Sequence, residues 1–360
     1  MIKNNYFKNQ KNKQIKIIEH FKIKSNMLAL IQNQKNPYFT ENFELLNYIN
    51  SGSTGVVYEG FYRKNKDKHV CFKFLLNKIF AKNTQNIKDI KIHKKLKYKN
   101  IIDYYEYINL NNIGCIIMEF AKFGDLEHFK KILNKRRYFS ETLLAFITNQ
   151  ILNGLYYLHE SKIIHMDIKP QNILIDEKLN IKITDFSVSF SYNNYNQNNK
   201  ISLPLNGTNL YMSPEVLSQS SIDYEDCNKI DIYSVGVVLY NFAFEIFPYG
   251  LDYSYCNNFG LILEKIKNEN LIIPELRPYS FLFKNFLLGL LEKNIKKRKS
   301  LYEVMEHPWI KGAELIFKEK EKINDLEKFY LNLITDNIRS FNEYIKKNNI
   351  IEYIRKNIKI

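Results

Sequence analysis

Two hydrophobic patterns divide the chain. From residue 43 to about residue 120, short runs alternate apolar and polar residues, which is typical of half-buried β-strands. Beyond residue 124, apolar residues recur at helical spacing. Strands are predicted at 43–49, 56–62, 70–75, 104–107 and 113–120, a Lys-rich helix after residue 83, and further helices at 141–160 and 229–246. The pattern predicts an α+β protein with a small β-rich lobe and a larger α-helical lobe.

The two ends of the chain differ from this pattern. Residues 1–42 form a basic extension rich in Lys, Asn and Gln, with one predicted helix at 15–31. In residues 311–360, apolar residues recur at helical spacing with basic residues between them; they are Phe341, Tyr344, Ile345, Ile351, Ile354 and Ile358. This tail is predicted to be a helical, regulatory segment. It could pack onto the helical lobe or bind calmodulin, and both alternatives stay open.

Composition narrows the function classes. The chain has 360 residues and a formal net charge of +15, but its cations are dispersed rather than gathered in an Arg-rich run. A solvated surface is therefore favoured over a nucleic-acid site. Four cysteines without metal-binding spacing, and no apolar leader at the N-terminus, predict a cytoplasmic protein. The apolar stretch 230–250 carries Asp231, Asn241 and Glu245 and is broken by Pro248, so we expect a buried helix rather than a membrane span.

The residues with the clearest chemistry lie in two short stretches. One is Ile164-His165-Met166-Asp167-Ile168-Lys169-Pro170-Gln171-Asn172, and the other is Asp185-Phe186-Ser187. Together they supply a carboxylate that can accept a hydroxyl proton, a cation, and an amide and a second carboxylate that can bind Mg²⁺. Phosphoryl transfer requires this combination of proton removal, charge neutralisation and metal binding.

These stretches resemble the catalytic and metal-binding loops of eukaryotic protein kinases of the serine/threonine type, whose usual forms are H-R-D-L-x-x-x-N and D-F-G. Further matches occur in the family's order: Gly52-Ser53-Thr54-Gly55-Val56-Val57, Val70-Cys71-Phe72-Lys73 and Gly207-Thr208-Asn209-Leu210-Tyr211-Met212-Ser213-Pro214-Glu215. The resemblance covers about residues 43–310 and is greatest to the calcium/calmodulin-dependent kinase group. It implies a bilobal kinase fold, with an N-lobe at 43–120, a hinge and C-lobe at 121–310, and ATP in the cleft between the lobes.

The resemblance also implies a role for each matching residue. Asp167 would be the catalytic base and Lys169 would stabilise the γ-phosphate. Lys73 would bind the α and β phosphates with Asp89 as its carboxylate partner. Mg²⁺ would be bound by Asn172 and Asp185. ATP would be bound by Asn50, Ser51, Gly52, Ser53, Thr54, Gly55, Val57, Lys73, Met118, Glu119, Ala121 and Asp125, although Asp125 could equally be a helix N-cap.

Other matching residues would support the site. Glu215 and Arg298 are expected to form a buried ion pair, and Asp231 is expected to brace the backbone of the catalytic loop. His165 and Phe186 are expected to pack together.

Four residues depart from the family pattern. Asn50 and Ser187 replace glycines, Asp89 replaces a glutamate, and Met166 replaces an arginine. Because Asp is one methylene shorter than Glu, either the helix packs closer to the lysine or the ion pair is longer and weaker. These departures keep a second hypothesis open, a pseudokinase that binds nucleotide as a scaffold. The retained catalytic and metal-binding residues favour an active kinase that transfers the γ-phosphate of ATP to protein hydroxyls.

The departure at Met166 also predicts how the enzyme is regulated. In kinases activated by phosphorylation, the arginine at this position binds a phosphate on the activation segment, residues 187–213 of this chain. Methionine cannot bind phosphate, and Pro204 stands where relatives carry the phosphorylated residue. Thr208 is expected to hydrogen-bond near Asp167 and Lys169 instead. We therefore expect activity without phosphorylation of this segment.

Overall fold

The computed structural model describes residues 37–51, 55–75, 88–110, 113–134, 139–178, 180–195, 200–275 and 279–312. These residues fold as two compact units. The first comprises the described residues up to Lys95 together with Asp103–Phe120, and the second comprises Leu96–Ile102 and the described residues from Ala121 onward. The loop residues Gly52, Ser53 and Thr54, the predicted helix at 15–31 and the predicted tail helix lie outside the described residues, so those predictions stay predictions.

The first unit is built on one antiparallel sheet. Its five strands are β1 (Phe43–Ser51), β2 (Gly55–Tyr62), β3 (Asn65–Leu75), β4 (Tyr104–Leu110) and β5 (Ile113–Glu119). They are arranged in the order β1-β2-β3-β5-β4. Each strand contains one of the predicted runs, except that β5 ends one residue before its predicted end. Period-two alternation therefore identified every strand of this sheet.

The two faces of the sheet carry different residues. Val56, Tyr58, Phe72 and Phe74 lie on one face within a buried aromatic and aliphatic core. The neighbouring positions point to the other face because successive side chains of a strand alternate. Lys73 is one of them, so a cation stands on the opposite side of the sheet from the core.

Two short helices flank this sheet. The helix α1 (Pro37–Asn42) places Phe39 in the core, 5% exposed, with its ring against those of Phe43, Phe72 and Phe74. The helix α2 (Lys88–His93) carries Asp89 beside Lys73. Although α1 precedes the predicted start of the kinase domain, it completes the core of the first unit.

The second unit is mainly helical. Its described helices are α3 (Leu126–Asn134), α4 (Glu141–Glu160), α5 (Pro214–Leu217), α6 (Lys229–Phe244), α7 (Phe259–Asn268), α8 (Phe281–Leu290) and α9 (Leu301–Met305). Ser140 caps α4 by accepting a hydrogen bond from the Leu143 N–H at 3.2 Å, which explains why this helix starts where it was predicted. The predicted α+β class, with a small β-rich lobe and a larger helical lobe, is confirmed.

The helix α6 is the buried helix expected from the stretch 230–250. Every residue from Ile230 to Phe244 is buried. The helix ends two residues before the predicted end because Glu245 adopts the left-handed conformation, with φ of 63°, and its N–H donates to the Asn241 carbonyl. Among the described helices, none is both long enough and apolar enough to cross a membrane.

Three small antiparallel sheets position the loops of the second unit. The strand β6 (Ile163–Ile164) pairs with β9 (Phe190–Ser191), and β7 (Ile173–Ile175) pairs with β8 (Ile181–Ile183). The strand β10 (Lys200–Ile201) pairs with β11 (Ile222–Asp223). The first two pairs enclose the stretch from His165 to Asn172, so short strands fix the loop that carries the candidate catalytic residues.

Candidate active site

Lys73 and Asp89 form a buried ion pair within the first unit. The Lys73 Nζ lies 3.1 Å from the Asp89 Oδ2, and the two side chains are only 9% and 7% exposed. The shorter carboxylate therefore still reaches hydrogen-bonding distance. Of the two alternatives drawn from the sequence, the structure shows a closely packed helix rather than a long ion pair.

Further candidate ATP-binding residues lie on the same face of the sheet as Lys73. Val57 pairs with both Asn50 and Lys73 across neighbouring strands, and Met118 pairs with Cys71. Because paired residues share a face, Asn50, Val57, Lys73 and Met118 are brought together on one side of the first unit. Gly55 must be glycine, since a Cβ would lie 2.5 Å from the Phe74 carbonyl oxygen.

The remaining ATP-binding candidates already make backbone hydrogen bonds. Within the first unit, the Asn50 Oδ1 accepts from the Ser51 N–H at 2.8 Å, and the Glu119 N–H donates to the Asp103 carbonyl at 2.9 Å. Within the second unit, the Ala121 carbonyl accepts from the Gly124 N–H at 3.1 Å. Asp125 caps α3, because its Oδ1 accepts from the His128 N–H at 2.7 Å. The N-cap interpretation of Asp125 therefore has a visible contact, and its ribose role stays a prediction.

The second unit brings together three of the proposed catalytic and metal-binding residues. The Asp167 Oδ2 lies 2.6 Å from the Lys169 Nζ and accepts from the Asn172 Nδ2 at 2.9 Å. The other oxygen, Oδ1, is buried and has no hydrogen-bond partner among the described residues. Since buried carboxylate oxygens are normally hydrogen-bonded, this oxygen is suited to accept a hydrogen bond from a bound hydroxyl group.

The activation segment reaches this cluster at Thr208. The Lys169 Nζ donates to the Thr208 Oγ1 at 2.7 Å, as expected. The preceding Gly207 has φ of 114°, and a Cβ there would lie 2.5 Å from the Met166 carbonyl oxygen. Only glycine fits this close approach of two backbone segments. The segment therefore runs directly along the catalytic loop.

Asp231 fixes the backbone of the catalytic loop from α6. Its carboxylate accepts from the His165 and Met166 N–H groups and from the His159 Nε2, each at 2.9 Å. Complete burial would raise the pKa of Asp231, but hydrogen bonding and charge from His159 and the contact with His165 outweigh it and hold that pKa below its usual value. The expected bracing contact is confirmed, and His159 is an additional partner that the sequence did not indicate.

Both candidate metal ligands, Asn172 and Asp185, follow the candidate catalytic residue Asp167 in sequence. Asn172 donates through its amide nitrogen to the Asp167 side chain and backbone, so its amide oxygen is the end that can bind a cation. Asp185 has φ of 66°, an uncommon conformation for a residue other than glycine. The described residues contain no cluster of three or more His, Cys, Asp or Glu side chains that could bind a metal. An amide and a carboxylate suit Mg²⁺, which usually takes further ligands from substrate phosphates.

Two other expected contacts in the second unit are present. The rings of His165 and Phe186 meet edge to face, with centroids 5.4 Å apart, and both residues are fully buried. Arg298 binds both carboxylate oxygens of Glu215, at 2.6 and 3.0 Å, and is 1% exposed. This buried bidentate pair fixes the start of α5 against the loop that precedes α9.

Comparison with known proteins identifies the class. The protein kinase domain family model matches residues 43–310, about three quarters of the chain. The chain therefore belongs to the protein kinase family. It is 30% identical to human serine/threonine-protein kinase ULK1 over 286 residues, which is 77% of this chain and 26% of that protein.

Two further relatives are also serine/threonine-protein kinases. TIO from Arabidopsis thaliana is 30% identical over 76% of this chain and 19% of that protein. Mouse ULK3 is 30% identical over 75% of this chain and 55% of that protein. The chain thus spans only about a fifth to about half of the length of these relatives. The similarity supports a serine/threonine kinase.

Sequence reasoning missed several residues around the site. Phe39 completes the sheet core, and Ile201 of the activation segment pairs with Ile222. Glu141, which is 1% exposed, accepts a hydrogen bond from the Trp309 Nε1 at 2.9 Å. Ser140 before Glu141 was a usable helix-start signal. Nothing in the local pattern marked Ile201, because a two-residue strand has no periodicity.

Proposed function

We propose that this chain is an ATP-dependent serine/threonine protein kinase that transfers the γ-phosphate of ATP to hydroxyl groups of protein substrates. The observation that supports it most is the cluster of Asp167, Lys169 and Asn172, in which one Asp167 oxygen is held and the other is buried without a partner. The second oxygen therefore keeps an unused acceptor position, which a substrate hydroxyl would fill when it binds. The family match and the serine/threonine kinase relatives support the same activity.

The proposed reaction assigns a task to each group in the second unit. The substrate hydroxyl donates its hydrogen bond to the Asp167 Oδ1, its oxygen forms a bond to the γ-phosphorus, and the bond from that phosphorus to the bridging oxygen of ADP breaks. The hydroxyl proton passes to Asp167. The Lys169 ammonium lies beside the same carboxylate and stabilises the negative charge on the transferred group. Thr208 orients that ammonium through its hydroxyl.

ATP and Mg²⁺ complete the proposal. On the first unit, the Lys73 ammonium, oriented by Asp89, would bind the α and β phosphates, and Val57 and Met118 on the same face would contact the adenine. Asn172 and Asp185 would bind Mg²⁺, which neutralises phosphate charge when present. The roles of Asn50, Ser51, Gly55, Glu119, Ala121 and Asp125 in binding ATP are part of this proposal.

Phosphorylation of a peptide array by the full chain, with Mg-ATP, tests the function together with the residue type phosphorylated. We expect incorporation into serine and threonine peptides, and loss of at least about a hundredfold in Asp167→Asn, since a general base typically contributes that much or more. Asp176→Asn is the matched control: Asp176 is similarly buried but holds the β7–β8 turn, where it accepts from the Lys178 and Asn180 N–H groups and from the Asn180 Nδ2. It should keep its turnover.

The array, combined with a binding measurement for Mg-ATP, separates the kinase from the scaffold. A chain that binds Mg-ATP but phosphorylates neither itself nor any peptide would be a pseudokinase. Equal activity of Asp167→Asn and the wild type would show that Asp167 is not the base.

Finer assignments belong to the same proposal. Placement in the calcium/calmodulin-dependent group, and binding of calmodulin by the basic amphipathic residues 341–358, rest on sequence pattern alone. Titration of the full chain with calcium-loaded calmodulin tests the second point, and the absence of saturable binding would remove it. The proposed location is the cytoplasm, which cell fractionation would check.

A further inference from the structure

The activation segment is held in the second unit by a short antiparallel pair of strands. Lys200 and Ile201 of β10 pair with Asp223 and Ile222 of β11. Ile201 is 0% exposed and its partner Ile222 is 4% exposed, whereas Ser202 next to it is exposed. Leu203 is buried again at 8%. We name Ile201, Leu203 and Ile222 the segment anchor.

The anchor is itself fixed to the rest of the second unit. Tyr224, which follows β11, meets the ring of Tyr192 edge to face at 5.2 Å, and Tyr192 donates from its N–H to the Lys162 carbonyl at 3.0 Å. Tyr192 belongs to the same activation segment. Both described parts of the segment therefore contact the rest of the second unit: residues 187–195 through Tyr192, and residues 200–213 through the pairing of β10 with β11.

The anchor lies close in sequence to the catalytic cluster. Ile201 precedes Thr208 by seven residues, and Thr208 accepts the Lys169 hydrogen bond. The intervening Gly207 lies so close to the Met166 carbonyl that a Cβ would be 2.5 Å from its oxygen. Because only six residues separate Ile201 from Thr208, the position of the anchor restricts the positions that Thr208 can reach.

The usual means of ordering this segment is not available at Met166. Its side chain is apolar and 4% exposed, so it offers no cation to a phosphate. The activation segment thus has an apolar anchor, while the position that would bind its phosphate, Met166 in the catalytic loop, carries no charge. We propose that Ile201 is a positioning residue for the kinase reaction: its burial against Ile222 holds the activation segment so that Thr208 stays on Lys169 without a phosphate. This inference rests on the proposed function.

Apolar burial, rather than charge, carries the anchor. Asp223 also binds the Lys296 Nζ at 2.5 Å, but these two side chains are 40% and 52% exposed. Lys296 lies 2.7 Å from the buried Asp226 as well, and in its absence Asp226 would keep Lys229 as a partner at 3.0 Å. Exposed ion pairs of this kind contribute little, because water screens them and long side chains lose freedom. Lys296→Ala should therefore change kcat less than about twofold, well below the tenfold that corresponds to 1.4 kcal/mol of barrier.

The experiment compares kcat, KM for ATP and amide hydrogen exchange in four forms of the full chain: wild type, Ile201→Ala, Ile201→Val and Ile310→Ala. Ile310 is the matched control, since it is also 0% exposed but lies at the far end of the described residues. Ile201→Ala should lower kcat at least about tenfold with KM for ATP within about twofold, because the ATP-binding residues of the first unit are untouched. Ile201→Val should restore most of the rate.

Hydrogen exchange gives a readout that does not depend on turnover. Peptides covering residues 200–210 should exchange faster in Ile201→Ala than in the wild type, and Ile310→Ala should leave these peptides unchanged. If Ile201→Ala does not fold, Ile201→Thr carries the same comparison. If the wild type has no kinase activity, the proposed function fails, while the exchange data still decide whether Ile201 holds the segment. Wild-type kcat and wild-type exchange in the Ile201 variants, or an equal loss of kcat in Ile310→Ala, would overturn the inference.

Discussion

Removing Asp89 should destabilise the first unit by about 3–5 kcal/mol, because it takes away the carboxylate beside a Lys73 ammonium that stays buried. The ion pair spans 3.1 Å between side chains that are less than a tenth exposed. At an effective dielectric constant of about 20, two charges at this separation attract by roughly 5 kcal/mol, of which desolvation cancels a part in the folded state. Asp89→Ala loses the attraction and keeps the desolvation of Lys73.

A double-mutant cycle isolates this pair. Lys73→Met removes the charge while keeping an unbranched side chain in the apolar strand, so the double variant Lys73→Met/Asp89→Ala should recover at least about 2 kcal/mol relative to the sum of the single losses. The matched control is the pair of Arg63 and Glu44 in the same sheet, 3.0 Å apart but 47% and 39% exposed. Glu44→Ala should cost less than about 1 kcal/mol.

The assay is equilibrium urea unfolding followed by far-UV circular dichroism, with fluorescence of the single tryptophan recorded in parallel. Trp309 is buried in the second unit, so its fluorescence reports that unit and the circular dichroism reports both. Additive losses in the cycle, or a cost of Asp89→Ala as small as that of Glu44→Ala, would show that the buried pair does not hold α2 to the sheet. Asp89→Glu should not improve stability, because the carboxylate already reaches Lys73 and an added methylene must fit where Asp89 is only 6% exposed.

Three further outcomes are expected. Lys73→Met should lower kcat at least about a hundredfold with unchanged Trp309 fluorescence, since the cation that is proposed to bind the phosphates is lost; a wild-type rate would remove Lys73 from the proposed site. Phosphatase-treated enzyme and Ser202→Ala should each keep activity within about threefold; a tenfold loss reversed by rephosphorylation would mean that another residue replaces the arginine missing at Met166. Burial lowers the pKa of His307 to about 4. Between that pH and about 6.5, His307 is therefore protonated in the unfolded state but not in the folded state. Its contribution to the free energy of unfolding should rise with pH across this range. Urea titrations at several pH values should show a flatter dependence in His307→Gln.

The catalytic loop could be predicted from sequence because its chemistry is local. Asp167, Lys169 and Asn172 lie within six consecutive residues, and β7 and the loop geometry bring their side chains together. The contact among these three side chains could therefore be expected without knowing the rest of the fold, while their roles as base, cation and metal ligand stay predictions. The five strands of the first unit were predictable for a similar reason, because the period of two is set by one buried face.

Features that depend on the approach of distant elements could not be predicted. The length of the Asp89 contact depends on how closely α2 packs on the sheet, which no spacing records. Phe39 looked like part of a polar extension, yet the core of Phe43, Phe72 and Phe74 has room for its ring. The end of α6 depends on a single residue, Glu245, that turns left-handed without being glycine. Each of these is decided by tertiary packing rather than by local propensity.

Burial distinguishes a few cations of this chain from the rest, although Lys169 of the proposed catalytic cluster is 21% exposed. The sequence holds 53 Lys and Arg residues, and composition alone gives no reason to single out any of them. Among the described residues, only Lys73, Lys182 and Arg298 fall in the buried class, and two of these face a carboxylate at hydrogen-bonding distance. A cation is removed from water only where a partner compensates for the lost hydration, so an ion pair inside the protein marks a position that the fold has to satisfy. The +15 charge therefore describes mainly the surface, while two buried cations have defined carboxylate partners: Lys73, which is proposed to bind the ATP phosphates, and Arg298, which holds Glu215 of α5.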